Sequence, residues 1–154
     1  MFRVLRFSVV TVVLAVLTAC GGSPRHPINP PNAGIQQLDV LPDGRWKLRL
    51  RIENFSDKTV HYATFKAALR VGGVAAADIS LNADIDIPGE NADVVEATVT
   101  PSPEAAKAFA IDVKEPGGAS YELKGTIDIP SAKEFKFEHK SRLSPVPGIP
   151  NEYR

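Results

Sequence analysis

The chain has 154 residues, with 18 basic and 18 acidic side chains and a formal net charge of zero. That length suits one domain of ordinary size rather than two. The zero charge argues against a nucleic-acid binder, which normally carries a surplus of Lys and Arg against phosphates. A single cysteine excludes an intrachain disulfide and any CxxC-type zinc site.

The N-terminus reads as an address. Arg3 and Arg6 form a short basic region, and residues 7–17 (FSVVTVVLAVL) are apolar apart from Ser8 and Thr11. This run is too short for a permanent transmembrane helix, which needs about 20 apolar residues. It fits the core of a secretory signal peptide. Next comes Leu17-Thr18-Ala19-Cys20, which resembles the bacterial lipobox. The resemblance implies cleavage between Ala19 and Cys20 and a lipid anchor on the Cys20 thiol, holding the protein on a membrane. The alternatives are a signal peptide with an incidental cysteine, or a retained anchor helix; basic start, apolar run and lipobox in register favour lipidation. Gly21 stands where inner-membrane retention would call for Asp, which favours the periplasmic face of the outer membrane. Cleavage leaves 135 residues with 16 basic and 18 acidic side chains.

Residues 20–34 read as a lipidated, Pro-rich tether, because Pro24, Pro27, Pro30 and Pro31 exclude helix and central strand. Residues 144–154, with Pro145, Pro147 and Pro150, read as a loosely attached tail of similar make. The folded domain is then 35–143. Within it, Trp46, Leu48, Leu50 and Ile52 alternate with Arg45, Lys47, Arg49, Arg51 and Glu53, the period of a strand with one buried face. Pro42-Asp43-Gly44 ahead of it suits a tight turn, so 35–41 and 45–53 should form a hairpin. Similar alternation marks runs ending at Gly72-Gly73, Pro88-Gly89, Pro101 and Pro130, and a final run through Phe135 and Phe137. The exception is 103–112 (PEAAKAFAID), a short helix with Ser102 as cap, Pro103 in the first turn and Glu104 at the positive dipole end. The pattern predicts an all-β fold: a seven-stranded antiparallel β-sandwich with one short helix.

Charge is segregated along the chain. Seven basic residues lie between Arg45 and Arg70, and six acidic ones with no basic residue lie between Asp78 and Glu96. Pairing between neighbouring strands accounts for this more simply than a dipolar binding surface. Catalytic patterns are missing from the sequence. No G-x-S-x-G elbow or phosphate-cradling glycine motif occurs, and His26, His61 and His139 have no His or Cys neighbour at ligand spacing. Asp84 and Asp86 share one strand face and read as a solvated acidic face rather than a calcium or glycosidase pair. Trp46, alternating with aliphatic residues, reads as core. No catalytic residue, metal, cofactor or small-molecule substrate is indicated.

The run 48–54 (LRLRIEN) resembles the first signature of the late embryogenesis abundant type 2 family, also called the WHy domain (water stress and hypersensitive response). Asn54 holds the strand-ending Asn; Phe55 and Ser56 stand where Pro and a second Asn are usual. The resemblance continues through 69–74 (LRVGGV) with Gly72 and Gly73, through 86–89 (DIPG) with Pro88, through 94–99, and through 121–127 (YELKGTI) with Tyr121 and Gly125. It implies a sandwich related to fibronectin type III and Ig-like domains, no catalytic residues, and a role in tolerating desiccation or osmotic stress by protecting envelope proteins or membrane. The alternative is a structural or accessory module of a cell-envelope complex, partnered through an edge strand. A small hydrolase or sugar-binding module ranks third.

Overall fold

The computed structural model describes residues 27–154; Ala19, Cys20 and His26, with the signal peptide and residues 20–26 of the tether, lie outside them. In chain order the elements are β1 (Asn32–Val40), β2 (Trp46–Glu53), β3 (Val60–Val71), β4 (Val74–Ile87), β5 (Ala92–Val99), α1 (Pro103–Asp112), β6 (Ala119–Asp128), β7 (Glu134–Leu143) and β8 (Glu152–Tyr153). They form two four-stranded antiparallel sheets, ordered β5-β2-β1-β8 and β4-β3-β6-β7. Alternation explains the layering. Trp46, Leu48, Leu50 and Ile52 of β2 are buried, as are Phe65, Leu69, Leu123 and Ile127 of β3 and β6, and all belong to one core. Burying such side chains contributes about 1.5–3 kcal/mol each.

Eight strands stand where seven were expected, and the eighth comes from the Pro-rich tail. Residues 144–154 are not loosely attached. Tyr153 and Glu152 pair with Leu38 and Asp39 of β1. Ser144 and Arg154 exchange backbone hydrogen bonds of 2.7 and 2.9 Å, and Val146 N–H donates to the Glu152 carbonyl at 2.9 Å. The prolines do not prevent this, because Pro145 sits in a bridge opposite Tyr153 and Pro147 and Pro150 lie in the turn, so none of the pairing N–H groups belongs to a proline. β1 also begins at Asn32, inside the segment read as tether.

The helix forms as its caps dictate. Ser102 Oγ accepts the Ala105 N–H at 3.2 Å and donates to the Ala75 carbonyl at 2.7 Å, while Ser102 N–H donates to the Ala76 carbonyl at 2.8 Å. One residue thus caps α1 and ties it to β4. α1 buries Ala105 and Phe109. The Phe109 ring lies between Trp46, 5.1 Å away, and Tyr153, 4.8 Å away edge-on. The helix therefore closes one end of the two-sheet stack, with the tail strand bracing it.

Part of the charge segregation resolves between neighbouring strands. Basic β2 lies beside acidic β5, where Lys47 and Arg49 reach Glu96 at 2.9 and 3.3 Å. The Lys47 ammonium, joined by Arg49, holds the exposed Glu96 carboxyl below the usual carboxylate range.

Two consequences can be measured. Tyr153→Ala, which removes the ring from Phe109 and the tail's main anchor, should lower stability by about 1–3 kcal/mol in urea unfolding followed by Trp46 fluorescence. Tyr62 is fully buried with an unpartnered hydroxyl, and burial pushes its phenol up to about 12. Burial disfavours the phenolate, so this group leaves stability unchanged below the unfolded value near 10 and lowers it as pH rises from there towards 12. Tyr62→Phe should therefore be neutral or stabilising by about 1 kcal/mol at pH 7, and should flatten the fall in stability between pH 10 and 12.

Candidate functional site

Two of the family-motif residues, Asn54 and Pro88, meet at the end of the sandwich opposite α1. β2 ends at Glu53, and Asn54 follows it, 1% exposed. Its side-chain amide donates to the carbonyls of Lys58 at 2.8 Å, Ile87 at 2.9 Å and Pro88 at 3.0 Å. Two hydrogens serve three acceptors, so one is shared. The Asn54 Oδ1 accepts the Ser56 N–H at 2.9 Å, and the Asn54 N–H donates to the Asn91 carbonyl at 2.8 Å. One buried residue thereby joins the end of β2, the approach to β3, the end of β4 and the approach to β5. Two of these strands belong to one sheet and two to the other.

Close packing supports the junction. A Cβ on Gly89 would sit 2.5 Å from the Asp57 carbonyl carbon and 2.7 Å from the Lys58 nitrogen, so only glycine lets the β4–β5 turn approach the β2–β3 loop. Glu90 N–H closes the same contact on the Ser56 carbonyl at 2.9 Å.

The segment entering the domain docks on this junction. Asn29 N–H donates to Ser56 Oγ at 3.0 Å, and the Asn29 side-chain amide donates to the Phe55 carbonyl at 2.7 Å. Ser56 is fully buried, whereas the Phe55 side chain is 52% exposed. The chain thus arrives from its N-terminal side at the tip that presents Phe55.

The other motif residues lie elsewhere and hold the fold. Gly72 and Gly73 form the β3–β4 turn with φ of 55° and 78°, the left-handed values a two-residue hairpin loop requires. A Cβ on Gly125 would fall 2.6 Å from the Ala67 Cα, because β6 and β3 approach closely there. Tyr121 is buried, and its hydroxyl accepts the Ile35 N–H at 3.0 Å beside an irregularity in the β1–β2 register, linking the two sheets. Burial raises its phenol pKa, with the bonded Ile35 backbone opposing the shift.

The titratable candidates do not converge on these residues. His61 lies opposite Asp86 on the outer face, with Nδ1 2.9 Å from Asp86 and Nε2 3.6 Å from Asp84. Both carboxylates are well exposed, as expected of a solvated acidic face, though each faces an imidazole. His139 lies on the opposite strand edge, where its Nδ1 accepts from the Asn32 side chain at 3.2 Å. Among the described residues, no group of three or more His, Cys, Asp or Glu side chains could hold a metal ion. A groove on the second sheet is lined by Arg70, Lys140 and Arg142. Its cations are engaged: Arg70 on the Gly73 carbonyl, Lys140 on Glu138 at 2.8 Å, and Arg142 on the Gly117 and Gly118 carbonyls.

Sequence reasoning missed Asn29, and it marked Ser56 and Gly89 as motif and turn positions without their contacts. Their contacts are non-local or lie in turns, where no periodicity marks a side chain. Asn54 itself was found through the motif.

Asn54→Ala removes the donor to the buried Ile87 carbonyl and to the part-buried Lys58 and Pro88 carbonyls, and the acceptor of the Ser56 N–H. At about 1–3 kcal/mol per buried group left unsatisfied, with water reaching some of them, the net loss should be about 3 kcal/mol. Urea unfolding of the variant against the parent checks this. A loss below about 1 kcal/mol would mean that the junction is not cooperative.

No family model matches the chain, and no curated protein matches it. Solved structures do resemble it. A protein solved in solution and described as a "putative late embryogenesis abundant (LEA) protein" has 16% identity over 88% of this chain and 82% of its own, with a TM-score of 0.46. A protein from Arabidopsis thaliana, also solved in solution, has 13% identity over 85% and 93% of the two chains, with a TM-score of 0.49. A crystal structure from Archaeoglobus fulgidus has 12% identity over 78% of this chain and all of its own, with a TM-score of 0.41.

Proposed function

We propose that the chain is a lipid-anchored, non-enzymatic protein of the bacterial envelope. Its late embryogenesis abundant type 2-like sandwich shields envelope proteins or the membrane surface during water loss or osmotic stress. The observation that carries the reading is the docking of Asn29 on Ser56 and Phe55, which turns the stretch after Cys20 into a short leash fixed to one end of the domain. The lipobox-like LTAC run supplies the anchor, and the ordered motif series around Asn54 supplies the stress-protection half. Among the described residues no helix is long and apolar enough to cross a membrane. In this reading a lipid on Cys20 holds the protein at the periplasmic face of the outer membrane, with roughly 0.8 kcal/mol of affinity per buried methylene.

A second reading, an accessory module of an envelope complex, is favoured by β5 and β4, each the outermost strand of its sheet among the described residues, β4 being tied to Ser102 at Ala75 and Ala76. Such edges accept an added strand. Crosslinking in cells separates the two: a diffuse set of neighbours fits protection, and one stoichiometric partner fits the accessory role.

Expression of the full chain in bacteria fed an alkyne fatty acid tests the anchor. The parent should carry the label and fractionate with outer membrane. Cys20→Ser should lose the label. A parent chain without label would contradict lipidation. Drying a labile enzyme with the purified protein tests the protective half: protection no better than an equal mass of albumin would count against it.

A further inference from the structure

We propose that the Phe55 tip is the membrane-facing end of the domain, its exposed phenyl ring seated at the boundary between lipid headgroups and acyl chains. This rests on the anchored reading above and adds a contact between the folded domain and the bilayer. Phe55, Ile111 and Ile149 are the exposed large apolar side chains among the described residues. Ile111 lies in α1 and Ile149 in the tail, both at the end of the sandwich that α1 closes. Phe55 alone lies where the chain enters from Cys20.

Geometry makes the contact local. Asn29, bonded to the Phe55 carbonyl, stands nine positions after Cys20. At no more than about 3.5 Å per residue, a lipid on Cys20 keeps this tip within about 30 Å of the bilayer surface. Contact on so short a leash is intramolecular, with an effective concentration of order millimolar. One aromatic ring then suffices where a free protein would need a patch.

The loop is also stiff. Asn54 and Ser56, on either side of Phe55, are buried and hydrogen-bonded, so the ring is presented without a loop having to order. Charge at the tip is mixed. Arg51 lies 3.4 Å from Glu53, and Asp57, Lys58 and Glu90 surround the ring's loop and its neighbouring turn. The contact is therefore apolar, made on neutral lipid as on acidic lipid and insensitive to salt.

The test couples the full chain through Cys20, its single cysteine, to phosphatidylcholine vesicles containing a maleimide lipid. Three chains are compared: the parent, Phe55→Trp and Ile111→Trp, with buried Trp46 as the common background. Vesicles carry acyl chains brominated near the headgroup. The proposal expects Phe55→Trp emission to shift to the blue and to lose most of its added intensity to bromine. Ile111→Trp should keep its intensity, and the pattern should be the same at low and high salt. Quenching of Phe55→Trp no greater than that of Ile111→Trp overturns the proposal. So does quenching that requires acidic lipid and disappears in salt, or a blue shift that follows chain density without lipid, which would mark contact between copies. Because the maleimide supplies the anchor, failure here leaves lipidation standing, and an unlabelled Cys20 in cells leaves this contact standing.

Discussion

A single buried amide holds the lower end of this molecule together. The Asn54 side chain reaches the carbonyls of Lys58, Ile87 and Pro88 while its own oxygen receives the Ser56 N–H. Those groups belong to loops between strands of different sheets, where ladder pairing ends and backbone polar groups would otherwise be buried without partners. An unpaired buried carbonyl costs about 1–3 kcal/mol, so the buried Ile87 carbonyl needs a donor where the two sheets meet, and Asn54 supplies it while also bonding the part-buried Lys58 and Pro88 carbonyls. Asparagine suits the task because it carries two donors and an acceptor in one compact, uncharged plane. The glycine at 89, the buried Ser56 and the docked Asn29 all follow from that arrangement. Each lets another piece of chain come close enough to share it.

The opposite end is closed by different means. There the sheets are held apart by side-chain volume, with Phe109 of α1 wedged between Trp46 and Tyr153. One end is thus polar and geometrically strict, the other apolar and plastic. Hydrogen-bonded junctions tolerate few substitutions, whereas aromatic packing can adjust by rotamer. The domain enters from its N-terminal side at the strict end.

What could be read beforehand followed from periodicity and local chemistry. β2 was legible because one face is wholly core and the other charged, and α1 because Ser102 and Pro103 act on residues two or three positions away. Trp46 was legible as core from its place in the same alternation. β8 was not, because three prolines mark a segment as irregular whether or not its end returns to pair, and only Tyr153 reveals the return. The hub role of Asn54 was half legible. Its position at a strand end suggested a turn, but its partners at Ile87 and Pro88 are more than thirty residues away and leave no local trace. Charge segregation resolved into the β2–β5 pairing for the same reason: neighbours in a sheet need not be neighbours in sequence.

If the junction is the constraint on which the rest depends, its loop amides must be as protected as the core. The direct measurement is native-state hydrogen exchange of the Asn54, Ser56 and Glu90 amides, which donate to Asn91, Asn54 and Ser56. The account predicts that these three open only with global unfolding, with the same opening free energy and denaturant dependence as the Leu48 and Leu50 amides of β2. Exchange through local fluctuation, orders of magnitude faster than in β2, would contradict it.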